Sequence, residues 1–223
     1  MTKNLRLVGA VCAFALVVGC SGGDKSDPAS DKSDPASDVL ATDGMATAIQ
    51  DIVTRAALDQ GSDPDLTGCP LGDLDQLIAK APAELKATAD ITGDLFSYAY
   101  QPDVVGALPH LQCSRGDVGA YTGEAPDGVY HDGLTNELQD FILTFDDDTA
   151  HRGGTLVRFC ASAIGVGGGD FCEADWYDDE VWIGVYIDGE TPTSAIAQQW
   201  LIAILDDVVA SVPRLAPTIE VAN

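Results

Sequence analysis

Residues 181–213 read VWIGVYIDGETPTSAIAQQWLIAILDDVVASVP, and they hold both kinds of element that decide the fold. Val181 to Ile187 is a run of β-branched and aromatic residues closed by Asp188 and Gly189, the composition of a strand and its turn. Beyond it the apolar spacing changes. Ile196, Ala197, Trp200, Leu201, Ile204, Leu205, Val208 and Val212 recur three and four apart, which gathers them into one wide stripe on a helix. Gln198, Gln199, Asp206 and Asp207 lie largely outside the stripe, so this helix has an inward and an outward face. Thr191 is the expected cap, Pro192 fits the first turn, and Pro213 is the expected end.

Upstream of this stretch lie further strand-like runs, Leu138 to Phe145 and Thr155 to Ala163, with shorter candidates at Leu95 to Tyr100 and Leu108 to Cys113. Short Gly/Asp connections favour antiparallel pairing, because a parallel crossover needs a dozen or more residues. Two helices precede the strands. Met45, Ala48, Ile49, Ile52, Val53 and Ala56 make one apolar face that stops at Gly61, and a second helix starts near Pro70 with Leu71, Leu74, Leu77 and Ile78 on one side. Helices at both ends and strands between them predict an α+β fold, an antiparallel sheet with helices packed on one face.

Of six cysteines, Cys69, Cys113, Cys160 and Cys172 belong to this body. An even number in an oxidising compartment reads as two disulfides with three pairings to choose from. Cys69–Cys113 with Cys160–Cys172 is favoured, the second closing a Gly-rich loop. Zinc is disfavoured, since no Cys pair has ligand spacing and no His pair is near. No metal or cofactor is expected.

The first 20 residues carry an address. Lys3 and Arg6 precede the uncharged run Leu7 to Val18, and Gly19 stands before Cys20. That is the plan of a secretory signal peptide, with an apolar run too short for a permanent span. Val17-Val18-Gly19-Cys20 resembles the bacterial lipobox, in which the cysteine thiol receives a diacylglycerol and the peptide is cut before it. The resemblance implies a signal over 1–19, lipidation at Cys20 and a protein held at the extracytoplasmic face of the cell membrane. Several acyl chains give stable anchoring where one gives only reversible attachment. Next comes a tether. Asp-Lys-Ser-Asp-Pro-Ala-Ser at 24–30 repeats unchanged at 31–37 and offers nothing to bury. Residues 20–40 thus read as anchor and spacer, about 25 Å long as a flexible coil, and 41–223 as a single folded domain.

The formal charge is −25, and −27 once Lys3 and Arg6 leave with the signal. Phosphates demand a basic surface, so nucleic acid is disfavoured as a partner, as is electrostatic attachment to anionic headgroups. Sugars, lipids, cations and protein partners remain open. Thr67-Gly68-Cys69-Pro70-Leu71, Leu111-Gln112-Cys113-Ser114, Val181 to Ile187 and the long C-terminal helix together resemble small α+β domains of actinobacterial lipoproteins akin to extracellular sensor domains of receptor kinases. That resemblance implies a binding role rather than an activity.

Signals for catalysis are poor. There is no Gly-x-Ser-x-Gly elbow and no His-Glu-x-x-His motif, so no catalytic residue is assigned. His110, His131 and His151 read as surface histidines. Gly165 to Gly169 lacks the lysine of a phosphate loop and reads as a hairpin connection. Asp146-Asp147-Asp148 and the acids from Asp175 to Glu180 do not match a calcium loop, and strand pairing in sequence order would set them at opposite sheet ends. Trp176 and Tyr177, among Asp175, Asp178 and Asp179, suit sugar stacking or a cationic ligand, unless Trp176 turns inward to plug the sheet end. The expected function is a non-enzymatic ligand-binding or sensor-accessory lipoprotein. A lipid or glycolipid carrier with a cavity lined by the C-terminal helix, an envelope hydrolase and a structural spacer are the alternatives.

Overall fold

The computed structural model describes residues 39–59, 65–100, 109–125, 135, 141–163, 170–188 and 193–222. Cys20 and its signal and tether, Gly61, Leu108, His131 with Asp132, Leu138, the glycine run 165–169, Thr191 and Pro192 lie outside the described residues. In chain order the elements are α1 (Met45–Asp59), α2 (Leu74–Ala79), α3 (Ala83–Thr88), β1 (Phe96–Tyr100), β2 (His110–Arg115), β3 (Val118–Glu124), β4 (Phe141–Phe145), β5 (Thr149–His151), β6 (Gly154–Ala163), β7 (Asp170–Tyr177), β8 (Val181–Asp188) and α4 (Ser194–Leu215).

The strands form one sheet in the order β1-β2-β3-β8-β7-β6-β4, with β5 also paired to β6. Every pairing is antiparallel. The fold is therefore α+β, as the element pattern implies. Alternation along the strands sends successive side chains to opposite faces. Leu111, Val118, Ala120, Ala174, Trp176, Val181, Ile183, Val185 and Ile187 face the helices and join one continuous core. Helix α4 lies across β6, β7 and β8, and α1 across β1, β2 and β3. Met45, Ile49, Ile52 and Ala56 of α1 and Trp200, Leu201, Ile204, Leu205 and Val208 of α4 are fully buried between the layers. Each large side chain so buried stabilises the fold by about 1.5–3 kcal/mol before entropy is counted. Trp200 Nε1 donates to the Leu77 carbonyl at 2.9 Å, which ties α4 to α2.

Two turns show why the hairpins close where they do. Gly116 and Asp117 form the two-residue link between β2 and β3, and Gly116 supplies the positive φ (56°) that a II′ turn requires at its first position. Arg152 and Gly153 link β5 to β6 with both φ angles positive, 49° and 87°, the I′ geometry that matches strand twist.

Several expected boundaries move for local reasons. The second helix does not start near Pro70, because Gly72 sits at φ 132°, outside any helical conformation. It starts at Leu74, where Asp73 caps by accepting from the Asp75 amide at 3.0 Å. The cap of α4 is Thr193, whose hydroxyl accepts from the Ile196 amide. Pro213 does not end that helix. It falls in the last turn, forfeits one backbone bond there, and the helix runs on to Leu215. Strands β3, β5 and β7 and helix α3 were not anticipated by the periodicity reading.

The disulfides pair as Cys69–Cys113 and Cys160–Cys172. Cys160 and Cys172 are direct partners in the β6–β7 ladder, so the second disulfide staples two strands rather than the base of a loop.

Candidate functional site

The face of the sheet turned away from the helices is built from aromatic rings laid over glycines. Gly184 of β8 has Tyr121 of β3 as its partner on one side and Asp175 of β7 on the other. Lacking a side chain, it leaves a notch through which the Tyr121 ring crosses β8 to reach β7. A Cβ at Gly184 would collide with both Asp175 Oδ1 and the Tyr121 ring. The same device recurs. Tyr186 lies over its ladder partner Gly119, and its hydroxyl accepts a bond from Gln112 Nε2 on β2 at 3.0 Å. Trp182 lies over its partner Gly123 and meets the His110 ring edge-on at 5.7 Å. On the helix side Trp176 crosses Gly154 of β6, and its Nε1 donates to the His151 carbonyl of β5 at 2.8 Å. Glycine weakens a strand through entropy and lost packing, and a ring from the next strand restores that packing.

The crossing by Tyr121 creates the most polar point of this face. Tyr121 Oη lies 2.6 Å from Glu173 Oε2 and 2.7 Å from Asp175 Oδ1. Asp175 is fully buried, the only buried acid among the described residues. Apolar neighbours close in around the cluster: Val157, Phe159 and Ala161 of β6 with Trp182, and beyond them Leu143 and Phe145 of β4. Glu173, Tyr177 and Tyr186 are half-buried and make its reachable margin. Burial pushes the Tyr186 phenol up from its ordinary value, an effect the Ser114 and Gln112 hydrogen bonds oppose and the nearby Asp188 and Glu173 charges reinforce.

The residues expected to form a ligand site do not converge as a loop would bring them together. Asp175, Trp176 and Tyr177 belong to β7, where neighbours alternate between faces. Trp176 is therefore fully buried under the helices, with its N–H satisfied, and offers no ring for stacking. Asp175 and Tyr177 share the opposite face with Glu173. Asp178 is a turn residue: one oxygen accepts from the Glu180 and Val181 amides, the other from Thr42 Oγ1 at 2.8 Å. Asp179 is exposed in the same turn.

Asp146-Asp147-Asp148 follows β4 at the level of Arg158 to Leu156, so it lies toward the same sheet end as Asp178, not the opposite end. Asp146 is engaged by Arg158 at 3.2 Å and by Ser194 Oγ at 2.7 Å. Among the described residues no group of three or more His, Cys, Asp and Glu side chains is arranged to hold a metal. His110 is not a surface histidine; it is 7 % exposed, on β2 beside Tyr121 and Trp182. His151 lies on β5, in the hairpin that carries Arg152. A groove of ≈ 380 Å³ runs between α2 and α4, lined by Asp73, Gln76, Lys80, Asp207 and Arg214, with Lys80 and Asp207 paired across it.

Sequence reasoning missed Tyr121, Glu173, Trp182, Tyr186 and the glycines beneath them. The signal was present as alternation: Phe171, Glu173, Asp175 and Tyr177 take every second position, as do Trp182, Gly184 and Tyr186. Comparison with known protein families, with characterised proteins and with solved structures gives no match to this chain.

Proposed function

We propose that this chain is a lipid-anchored, extracytoplasmic ligand-binding or sensor-accessory module whose ligand-contact face is the aromatic side of the sheet around Glu173, Tyr177 and Tyr186. One observation carries the reading: a fully buried acid and a second carboxylate meet one phenol under an aromatic layer. Ionisable groups are costly to bury, and such placements concentrate where a protein recognises something. Acids rimmed by aromatic rings favour a cationic or hydroxyl-rich ligand, such as an amine or an envelope sugar. The lipobox-like Cys20, the repeated tether and two disulfides support an oxidising, membrane-apposed location. The stripe of α4 that would line a lipid cavity is instead packed against the sheet, which favours this reading over a carrier.

The reading is tested by thermal melts of the oxidised mature protein against envelope sugars, organic amines, calcium, EDTA and membrane lipids. A true ligand at a hundredfold excess over its Kd adds about 2.7 kcal/mol, which is about 5–10 °C in Tm for a domain of this size. The shift is expected with a sugar or an amine and is expected to vanish in Tyr177→Ala. A shift that survives Tyr177→Ala, or none with any compound, would discard the proposed face. Membrane attachment is checked separately by Cys20→Ala, which is expected to move the protein to the soluble fraction.

A further inference from the structure

We propose that the groove between α2 and α4 is a second binding site, for a small zwitterion of di- or tripeptide length, with the ligand's carboxylate on Arg214 and Ser211 and its ammonium toward Asp207. The groove encloses ≈ 380 Å³, the size of a small-molecule site. One wall is a single line along α4, because Asp207, Ser211 and Arg214 stand four and three residues apart. The other wall runs the opposite way, from Gly72 and Asp73 through Gln76 to Lys80. Gly72 faces Ser211, since a Cβ there would stand 3.1 Å from Ser211 Oγ, and Lys80 is paired with Asp207. The groove therefore has two ends, Arg214 with Ser211 at one and Lys80 with Asp207 at the other.

The two ends differ in what their charges already hold. Asp207 is engaged by Lys80, and Asp73 accepts from the Asp75 amide and from Gln76 Nε2, both at 3.0 Å. Arg214 has only the Ser211 hydroxyl, at 3.4 Å. Among the described residues the other four arginines, Arg55, Arg115, Arg152 and Arg158, each hold a carboxylate. In a chain with 36 acids to 11 bases, an arginine that meets none of them is the exception. A guanidinium has five N–H donors in a fork that matches the two oxygens of a carboxylate. Ser211 adds a third donor. Its side chain is 8 % exposed, its oxygen accepts from Arg214, and nothing among the described residues accepts its hydrogen. A cation in the last turn suits the helix dipole, but the dipole does not account for a buried hydroxyl lining the groove beside it.

Charge and length narrow the ligand. Asp73 and Asp207 sit in the same groove as Lys80 and Arg214, so its formal charge is zero and a polyanion gains little there. The chain as a whole, at −25, repels free anions, whereas a zwitterion carries no net charge. Asp207 and Arg214 are seven residues apart on one helix, which is about 10 Å along its axis. An extended tripeptide spans about the same distance.

This site stands apart from the ligand-contact face proposed above, because the groove lies on the helix side of the sheet and Tyr177 on the other. In amide-resolved NMR titrations of the oxidised mature protein with triglycine, Gly72, Gln76 and Ser211 are expected to shift saturably. Triglycine amide, which lacks the carboxylate, and inorganic phosphate, which lacks the ammonium, are expected to leave them in place. Arg214 is exposed, so Arg214→Gln leaves the core intact; it is expected to weaken triglycine binding by more than about tenfold, the scale of lost charged hydrogen bonds. Ser211→Ala supplies a second variant with a loss in the same direction. Tyr177→Ala is expected to bind triglycine as the parent does. The proposal is overturned by the absence of saturable shifts at these three residues, by an equal response to triglycine amide or phosphate, by undiminished binding in Arg214→Gln, or by loss of binding in Tyr177→Ala.

Discussion

Gly184 shows how much a missing side chain can determine. Its φ is not in the left-handed region, so the chain conformation alone does not call for glycine; the space does, because Tyr121 and Asp175 both occupy the volume a Cβ would need. Gly184→Ala sets two terms against each other. Alanine restricts the unfolded chain and by itself would stabilise by about 0.4–1 kcal/mol. Displacing a ring and a buried carboxyl in a packed layer costs about 1–3 kcal/mol. The steric term wins, so Gly184→Ala is expected to lower the denaturant midpoint with the slope unchanged, and a variant as stable as the parent would show that the notch is not tight. Gly119 under Tyr186 and Gly123 under Trp182 are subject to the same logic. At this scale the sequence was only partly legible. Trp176 and Asp175 are neighbours in the chain, and adjacency suggested a shared site. On a strand it means opposite faces.

Among the elements, the ones that announced themselves were those whose polarity pattern matches their burial. Helix α4 is apolar on one side and polar on the other, and β8 is apolar throughout because both of its faces are covered. Strand β7 was illegible for the converse reason: its alternation is Phe, Glu, Asp and Tyr on one face against Cys, Ala and Trp on the other, which reads as an acidic turn unless the second face is itself recognised as a layer. Strand β3 was hidden by its glycines, which lower strand propensity when their covering rings lie elsewhere in sequence. Cysteines were more legible, since only four remained to pair. The two disulfides should not contribute equally. Cys69–Cys113 closes 44 residues and fastens the segment before α2 to β2, whereas Cys160–Cys172 closes 12 between strands already joined by their ladder. Loop-closure entropy assigns about 4 kcal/mol to the first and about 3 kcal/mol to the second. Equilibrium unfolding of the Cys69→Ala/Cys113→Ala and Cys160→Ala/Cys172→Ala proteins is expected to show the larger loss in the former. The reverse order would mean that the β6–β7 ladder depends on its staple.

Across the whole molecule, 36 acidic residues face 11 basic ones. The described ion pairs, Arg55–Asp51, Lys80–Asp207, Arg115–Asp75, Arg152–Asp206 and Arg158–Asp146, lie at or near the surface, where each contributes about 0–1 kcal/mol and weakens as salt is added. Repulsion among the remaining acids acts in the other direction, since a compact chain brings like charges closer than an unfolded one does. With acids outnumbering bases so heavily, the repulsive sum is the larger. Raising salt from about 10 mM to about 150 mM shortens the screening length from about 30 Å to about 8 Å and should relieve it. The protein's Tm is therefore expected to rise by a few degrees over that range at neutral pH, at about 2–4 °C for each kcal/mol of relief. Near the sequence pI of ≈ 4.1 the net charge disappears and the rise with it. A Tm that falls with salt at neutral pH would instead mean that the few cations are placed so well that attraction outweighs the surplus of negative charge.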